Sequence, residues 1–272
     1  MLTLGAFCVH APVIGHSPGS ILLNALAATK LSLSPKPAPT PGGVRVLPPK
    51  GLNTSIYLDL NHFSRHTAWA HSFMHAYALW LGPVLLAVVF VIAYALAWWR
   101  RAPQAATLLV LGGIGTLVAL GLNQLIAHGA EELRPYATHP HVLVLVAKTS
   151  DYSFPSDHSV VAGGLTTSLL LVVGAAAWRR GTARIGTGSR GRGSAKSAVI
   201  WWLAAIDIVL GLFLCFARVY VGAHYPGDVV AGYLFSCSVV IVVSLLRPLA
   251  FRLADAVEPT VFGVLLQRPG VA

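Results

Sequence analysis

Apolar and polar positions fall in long blocks along this chain, not in short alternating stretches. Five blocks, at residues 77–99, 105–127, 159–178, 198–217 and 229–246, stay apolar for close to the roughly 20 residues that a helix needs to cross a bilayer. Each predicts a transmembrane helix. Trp80 near the start of the first block, and Trp98, Trp99, Arg100 and Arg101 at its end, are residue types that settle at membrane–water interfaces. Ahead of that block, residues 56–76 mix Leu58, Leu60, Phe63, Trp69 and Phe73 with His62, Arg65, His66, His71 and His75, which predicts a surface-lying amphipathic segment leading into the bilayer. Residues 1–55 read as a disordered tail. Apolar pieces such as Ile21-Leu22-Leu23 are too short to span, and Pro35, Pro37, Pro39 and Pro41 punctuate the stretch around Lys36. It has no clear small-residue cleavage site after a compact apolar core, which argues against a signal peptide. The expected organisation is therefore a tail, a membrane domain over residues 56–246, and a C-terminal tail over 247–272. The expected fold is an all-α polytopic bundle of about five transmembrane helices.

Composition agrees with that pattern. The chain is 56% hydrophobic and 10% charged, with a mean hydropathy of +0.70, whereas soluble domains carry about 25% charged residues. A net charge of +10 does not imply a nucleic-acid partner, because the basic residues cluster between apolar blocks. Two follow the first block, six lie in residues 179–197 and three follow the fifth, against three (Arg134, Lys148, Arg218) in the opposite loops. The larger set should be cytoplasmic, which puts the opposite loops on the external face of a cell membrane. Lys30, Lys36, Arg45 and Lys50 run against this rule unless a further N-terminal segment crosses. Residues 186–191 satisfy G-x-G-x-x-G, but no strand precedes them and no ribose-binding acid follows, so they read as a flexible loop. The three cysteines form neither a disulfide framework nor a metal knuckle.

Chemistry concentrates in the external loops. Residues 217–228 carry Arg218, His224 and Asp228, with Pro226 suited to the first turn of the helix that follows. Asp228 can fold back onto His224 and take its Nδ1 proton, leaving Nε2 nucleophilic. Phe154-Pro155-Ser156-Asp157-His158 directly precedes the third block. Ser156 is an N-cap candidate there, and the amides after it point outward as an anion site. Arg134-Pro135 lies upstream in the same loop. A single His or Arg between membrane helices is ordinarily only a polar loop residue; three such stretches in this order are a stronger signal. Together they resemble the type-2 phosphatidic acid phosphatase superfamily, with its Lys-x6-Arg-Pro, Pro-Ser-Gly-His and Ser-Arg-x5-His-x3-Asp motifs. The family Lys is Ala127 here, the Gly is Asp157 and the Ser before Arg218 is Ala217. The remaining pattern resembles the bacterial undecaprenyl-diphosphate phosphatases of the bacitracin-resistance type, over roughly residues 57–246.

That resemblance implies a division of labour. Arg134, Arg218, Ser156 and the amides of Asp157 and His158 would hold the phosphoryl group, and His224 would attack in line. Asp228 would fix the tautomer of His224, while His158 would protonate the leaving oxygen and then activate water. Neither a metal nor a cofactor is required, since the arginines, His158 and a helix N-terminus supply the positive charge. The expected partners are the bilayer and a long-chain polyprenyl diphosphate. Phosphatidate or phosphatidylglycerol phosphate is the alternative substrate, and a transporter or an inactive lipid-binding protein the alternative class. Lys148 and His128 are candidates to replace the missing Lys. His71 and His75, four apart, could share a helix face as metal ligands but lack companions. Asp207, mid-way along the fourth block, is read as a hydrogen-bonded acid facing the bundle toward Asn123 or Thr116 in preference to a proton relay.

Overall fold

The structure, a computed structural model, describes the backbone of residues 51–187 and 194–257 and the side chains of 51–177 and 198–252. Every regular element among the described residues is helical. In chain order these are α1 (Leu52–His66), α2 (Ala68–Trp99), α3 (Pro103–Ala130), the single turn α4 (Pro135–Thr138), α5 (Asp157–Thr187), α6 (Ser194–Tyr220), α7 (Pro226–Ser244) and α8 (Arg247–Val257). Five of them, α2, α3, α5, α6 and α7, contain stretches long and apolar enough to cross a membrane. Prolines open α3, α4 and α7, where a missing N–H costs nothing.

The bundle is built around α5, which packs on α3, α6 and α7. Small residues permit this. A Cβ at Gly163 would collide with the Tyr233 carbonyl of α7, and one at Gly164 with Thr116 of α3 and Ser236 of α7. Small residues let helix backbones approach closely, and that closeness replaces the hydrophobic drive that helices lack in lipid. Val84, Val91, Leu117, Leu125, Leu234 and Val242 stay exposed on the outer faces, as a lipid-facing surface requires.

Three expectations need correction. The helix that carries the first span starts at Ala68, ahead of residue 77; Trp69 and Phe73 face outward along it, and the ring of His71 is satisfied by the Ser64 carbonyl at 2.8 Å. Next, α1 begins at Leu52, inside the expected tail. Its inward stripe is Thr54, Tyr57, Asn61 and Ser64, and Leu52, Leu58 and Phe63 point out. The inward groups are held by bonds that only polar side chains can make. The Asn61 amide donates to the Leu143 carbonyl at 2.7 Å and its carbonyl accepts the Leu143 N–H at 3.0 Å, while Asn53 accepts the Gly227 N–H at 2.8 Å. Last, Asp207 faces α5, not α3. Its Oδ2 accepts the Thr166 hydroxyl at 2.6 Å, because α6 packs on α5 and α2 whereas α3 lies against α5 and α7. Thr116 bonds within its own helix and Asn123 is engaged near residue 155.

Helix α5 continues through Gly186 and Thr187, so the glycine-rich pattern is helical at its start, and residues 188–193 lie outside the described residues, as do 1–50 and 258–272. The predicted disorder of the first fifty residues belongs to that outside part. The start of the predicted C-terminal tail is helical, as α8.

Candidate active site

At one end of the bundle, the loop before α5, the turn between α6 and α7 and a kinked turn of α2 converge on His224. That residue is 3% exposed. Its Nε2 meets Arg218 Nη2 at 3.1 Å and Arg134 Nη1 at 3.3 Å. A guanidinium can only donate, so the network assigns a lone pair to Nε2 and the proton to Nδ1. Nδ1 then donates to the Ser153 carbonyl at 2.8 Å. The turn that presents His224 depends on Gly222, whose φ is +80° and whose absent Cβ would stand 2.6 Å from the Leu143 carbonyl oxygen. Any other residue would be strained there.

Asp228 pairs with the same imidazole from the first turn of α7, its Oδ2 3.6 Å from His224 Nδ1. The same oxygen accepts the Tyr225 N–H at 2.9 Å and the Ser153 hydroxyl. Asp228 thus also closes the first turn of α7, and the Ser153 carbonyl is the nearer acceptor at Nδ1.

The phosphate-binding candidates gather on the Nε2 side. Arg218 is 5% exposed, and among the described residues no carboxylate lies within 4.0 Å of it. Its Nη1 donates to the Ala78 carbonyl at 3.3 Å, and the ring of His158, an electrostatic neighbour of Arg218 and His224, bonds the backbone of Leu79. Both carbonyls are released by the Gly82-Pro83 step in α2. Residues 77–81 form a π-helical turn in which the Gly82 N–H reaches back to Tyr77, and Pro83 has no N–H to offer Ala78 or Leu79. Arg134 instead makes a forked pair with Asp151, with both contacts at 2.9 Å, and also donates to the Ala223 carbonyl at 3.1 Å.

Ser156 occupies the N-cap position of α5 through its backbone alone, its carbonyl accepting the amides of Ser159 and Val160. Its hydroxyl is buried and has no hydrogen-bond partner. The amides of Asp157 and His158 open the helix and have no intrahelical acceptor. The Asp157 carboxylate turns toward α3, where Asn123 and Gln124 donate to it at 2.7 and 2.9 Å. Only the backbone of Asp157 is therefore placed to serve an anion.

Electrostatics follow from this layout. Burial, joined by the charges of Arg218 and Arg134, pushes the His224 imidazole down to about 4, against the opposing pull of Asp228. Burial would raise the Asp151 carboxyl, but its bonds to Arg134 and Thr149 hold it below its ordinary value. Lys148 lies over the Tyr136 ring, and the ring nitrogen of His128 bonds the Gln124 carbonyl at 2.6 Å; both residues are exposed. A cavity of about 330 Å³ between α1 and residues 138–142 is lined by Leu58, His62, Arg65, His139 and Val142 among others. None of the predicted site residues lines it, so it lies apart from the chemistry. No cluster of three or more metal-ligating side chains occurs among the described residues.

The sequence profile of the PAP2 superfamily matches residues 106–252, more than half of the chain and the part that holds Arg134, Ser156, His158, Arg218, His224 and Asp228. The chain belongs to the PAP2 superfamily. This PAP2 protein is a multi-pass membrane phosphatase. It is 28% identical over 214 residues to undecaprenyl-diphosphatase BcrC of Bacillus subtilis (strain 168), covering 77% of this chain and 88% of that protein. It is also 28% identical over 121 residues to an undecaprenyl-diphosphatase of Sulfolobus acidocaldarius, with 44% and 46% covered. A third relative, 25% identical over 160 residues with 57% and 66% covered, is the bacitracin transport permease protein BcrC of Bacillus licheniformis.

Sequence reasoning did not find Ser153, Asp151 or the Gly82-Pro83 step. Ser153 and Asp151 immediately precede the Phe-Pro-Ser-Asp-His stretch, and a proline inside an otherwise apolar helix is a signal for released carbonyls. Those were the available clues.

Proposed function

We propose that this PAP2 phosphatase hydrolyses a long-chain polyprenyl diphosphate, undecaprenyl diphosphate, to the monophosphate and inorganic phosphate through a phosphohistidine on His224. The supporting observation is that two guanidinium groups face His224 Nε2, with the unpartnered Ser156 hydroxyl at the start of α5.

Arg134, Arg218, the Ser156 hydroxyl and the first amides of α5 spread the charge of the phosphoryl oxygens, the main task in a loose transition state. Nε2 forms a bond to the terminal phosphorus as the bridging P–O bond breaks, and His158 gives its proton to the departing monophosphate. His158 then takes a proton from water, whose oxygen attacks phosphorus; the P–N bond breaks and phosphate leaves. A site at the ends of membrane helices lets the lipid tail stay in the bilayer while only the head enters. A phosphate monoester departs more readily than the alkoxide of phosphatidate, which makes the loss of the family Lys at Ala127 tolerable. Exposed Lys148 and His128 are candidates to hold the second phosphate.

The first two relatives are named undecaprenyl-diphosphatases, which favours this substrate. The third relative's name favours transport, but transport gives no reason for a buried imidazole between two arginines. In one detergent at matched surface concentration, kcat/KM for undecaprenyl diphosphate should exceed that for phosphatidate and phosphatidylglycerol phosphate by at least about tenfold, roughly 1.4 kcal/mol. Equal turnover of either glycerolipid overturns the substrate, and absence of phosphate release from all three overturns the enzyme reading. The charge asymmetry of the loops supports an external site in the cell membrane. A cysteine at Thr138 should then react with an impermeant reagent on intact cells while one at Ser189 does not.

A further inference from the structure

Helix α1 lies outside the residues that match the PAP2 profile, yet it holds both sides of the turn that presents His224. The side-chain oxygen of Asn53 accepts the Gly227 N–H at 2.8 Å. That N–H belongs to the first turn of α7 and has no acceptor within its own helix. On the other side, Asn61 grips the backbone of Leu143 with one donated and one accepted bond, at 2.7 and 3.0 Å. The Leu143 carbonyl rests against Gly222, where a Cβ would stand 2.6 Å from its oxygen, and the Leu145 N–H donates to the Val221 carbonyl at 3.0 Å. Between these two grips, fully buried Tyr57 sets its ring edge-to-face with that of Tyr225, the centroids 5.2 Å apart.

The rest of α1 divides into two exposed stripes. Leu52, Ile56 and Phe63, at spacings of four and seven residues, share one of them. Ser55, Asp59, His62 and His66 share the other, which is polar. A helix with one face on protein, one apolar and one polar suits the surface of a bilayer. The apolar stripe is continued by Trp69, Phe73 and Trp80, exposed along α2, the helix that carries the first span. Because the stripe runs into the lipid-facing side of a span, lipid is what covers it.

We infer that α1 seats the His224 turn on the bilayer surface: its apolar stripe rests in the leaflet on the side of the active site, while Asn53 and Asn61 carry that placement to Gly227 and, through Leu143, to Gly222. Both asparagines are positioning residues, since they act through the turn. The inference rests on the reading of His224 as nucleophile. Its benefit is a shared height. A lipid substrate presents its phosphorus at headgroup depth, and a nucleophile misplaced by about 1 Å can lose on the order of a hundredfold in rate. One lipid surface then sets the level of both the substrate head and the turn that attacks it.

The test uses the full chain in nanodiscs of phosphatidylcholine and phosphatidylglycerol. With Cys8, Cys215 and Cys237 replaced by Ala, a spin label on Ile56→Cys should be relaxed by oxygen, and one on Ser55→Cys by a water-soluble nickel complex. In Asn53→Ala, and separately in Leu52→Gln with Ile56→Gln, hydrogen exchange over residues 221–228 should rise by about tenfold while exchange in α3 stays at the parent level. Asn53→Asp, which keeps the acceptor, should restore protection. For undecaprenyl diphosphate, kcat should fall by about tenfold in both deprotected variants with KM within about twofold, whereas Ser55→Ala with Asp59→Asn should keep the parent kcat. A label at Ile56 reached only from water overturns the inference. So does parent-like exchange over 221–228 in the stripe variant, exchange that rises throughout the protein, or a change in KM alone, which would mean that α1 merely gathers lipid. Full activity in His224→Ala would instead remove the nucleophile reading, and the label and exchange results would still report on the seat.

Discussion

The last turn of α6 and the loop between α3 and α5 each deliver an arginine to the same imidazole nitrogen, but they hold it in opposite ways. Arg218 is buried, with backbone and imidazole for company and, among the described residues, no carboxylate within 4.0 Å. Arg134 is paired in a fork with Asp151, whose side chain is 60% exposed. A buried guanidinium without a counter-charge costs several kcal/mol, and an arriving phosphoryl group offsets that cost. Because the Asp151 side chain faces solvent, water can take up its carboxylate when a phosphate replaces it on Arg134. Arg218 thus makes a fixed demand for an anion, while Arg134 is a clamp whose present partner is exchangeable.

Substitutions should separate the two. The largest loss is expected for Arg218→Ala, at least about a thousandfold in kcat/KM, and Arg218→Lys should recover little because an ammonium cannot replace a planar fork that reaches both Ala78 and His224. Arg134→Ala should cost less, on the order of tenfold to a hundredfold. If the two losses were equal, the comparison would fail.

Acid titration sharpens the same contrast. His224 is held down to about 4 by burial and then by the two arginines, so the imidazole stays neutral well below an ordinary histidine and its acid limb falls near that value. Removing Arg134 takes away one cation, which raises the imidazole and moves the limb to higher pH. The sign for stability is fixed too. The unfolded histidine titrates near 6.5, so between that value and about 4 the unfolded chain binds the extra proton. This contribution is complete above the window and is lost as pH falls through it. Thermal unfolding across that range checks it. The smallest effect is expected for Asp151→Asn: kcat unchanged, KM shifted by no more than about threefold.

How far the sequence disclosed this arrangement differs by element. The spans were legible because bilayer crossing imposes length and apolarity on each segment separately, and the three polar stretches carry side chains with few structural uses so close to a membrane. The partners of Asp207 were not legible, because which helix it faces depends on how α6 rotates against α5. The inward stripe of α1 was hidden for a similar reason. Leu58 and Phe63 mark an amphipathic segment, and only the pairing of Asn61 with Leu143 shows why its polar stripe turns in. The Ser153 carbonyl at Nδ1 was not legible because Asp228, four residues on, is the obvious partner by spacing, whereas Ser153 is brought to His224 from 71 positions away. Backbone acceptors leave no mark in a sequence.

The account depends most on a covalent bond between phosphorus and His224 Nε2. Rapid acid-free quenching of the parent enzyme with undecaprenyl diphosphate labelled at the terminal phosphorus tests this directly. The account predicts a transient labelled protein whose phosphate is lost in acid and kept in alkali, formed no more slowly than turnover, and absent from His224→Ala, in which turnover falls by at least about a thousandfold. Undiminished turnover in His224→Ala, or the same label on that variant, would contradict it.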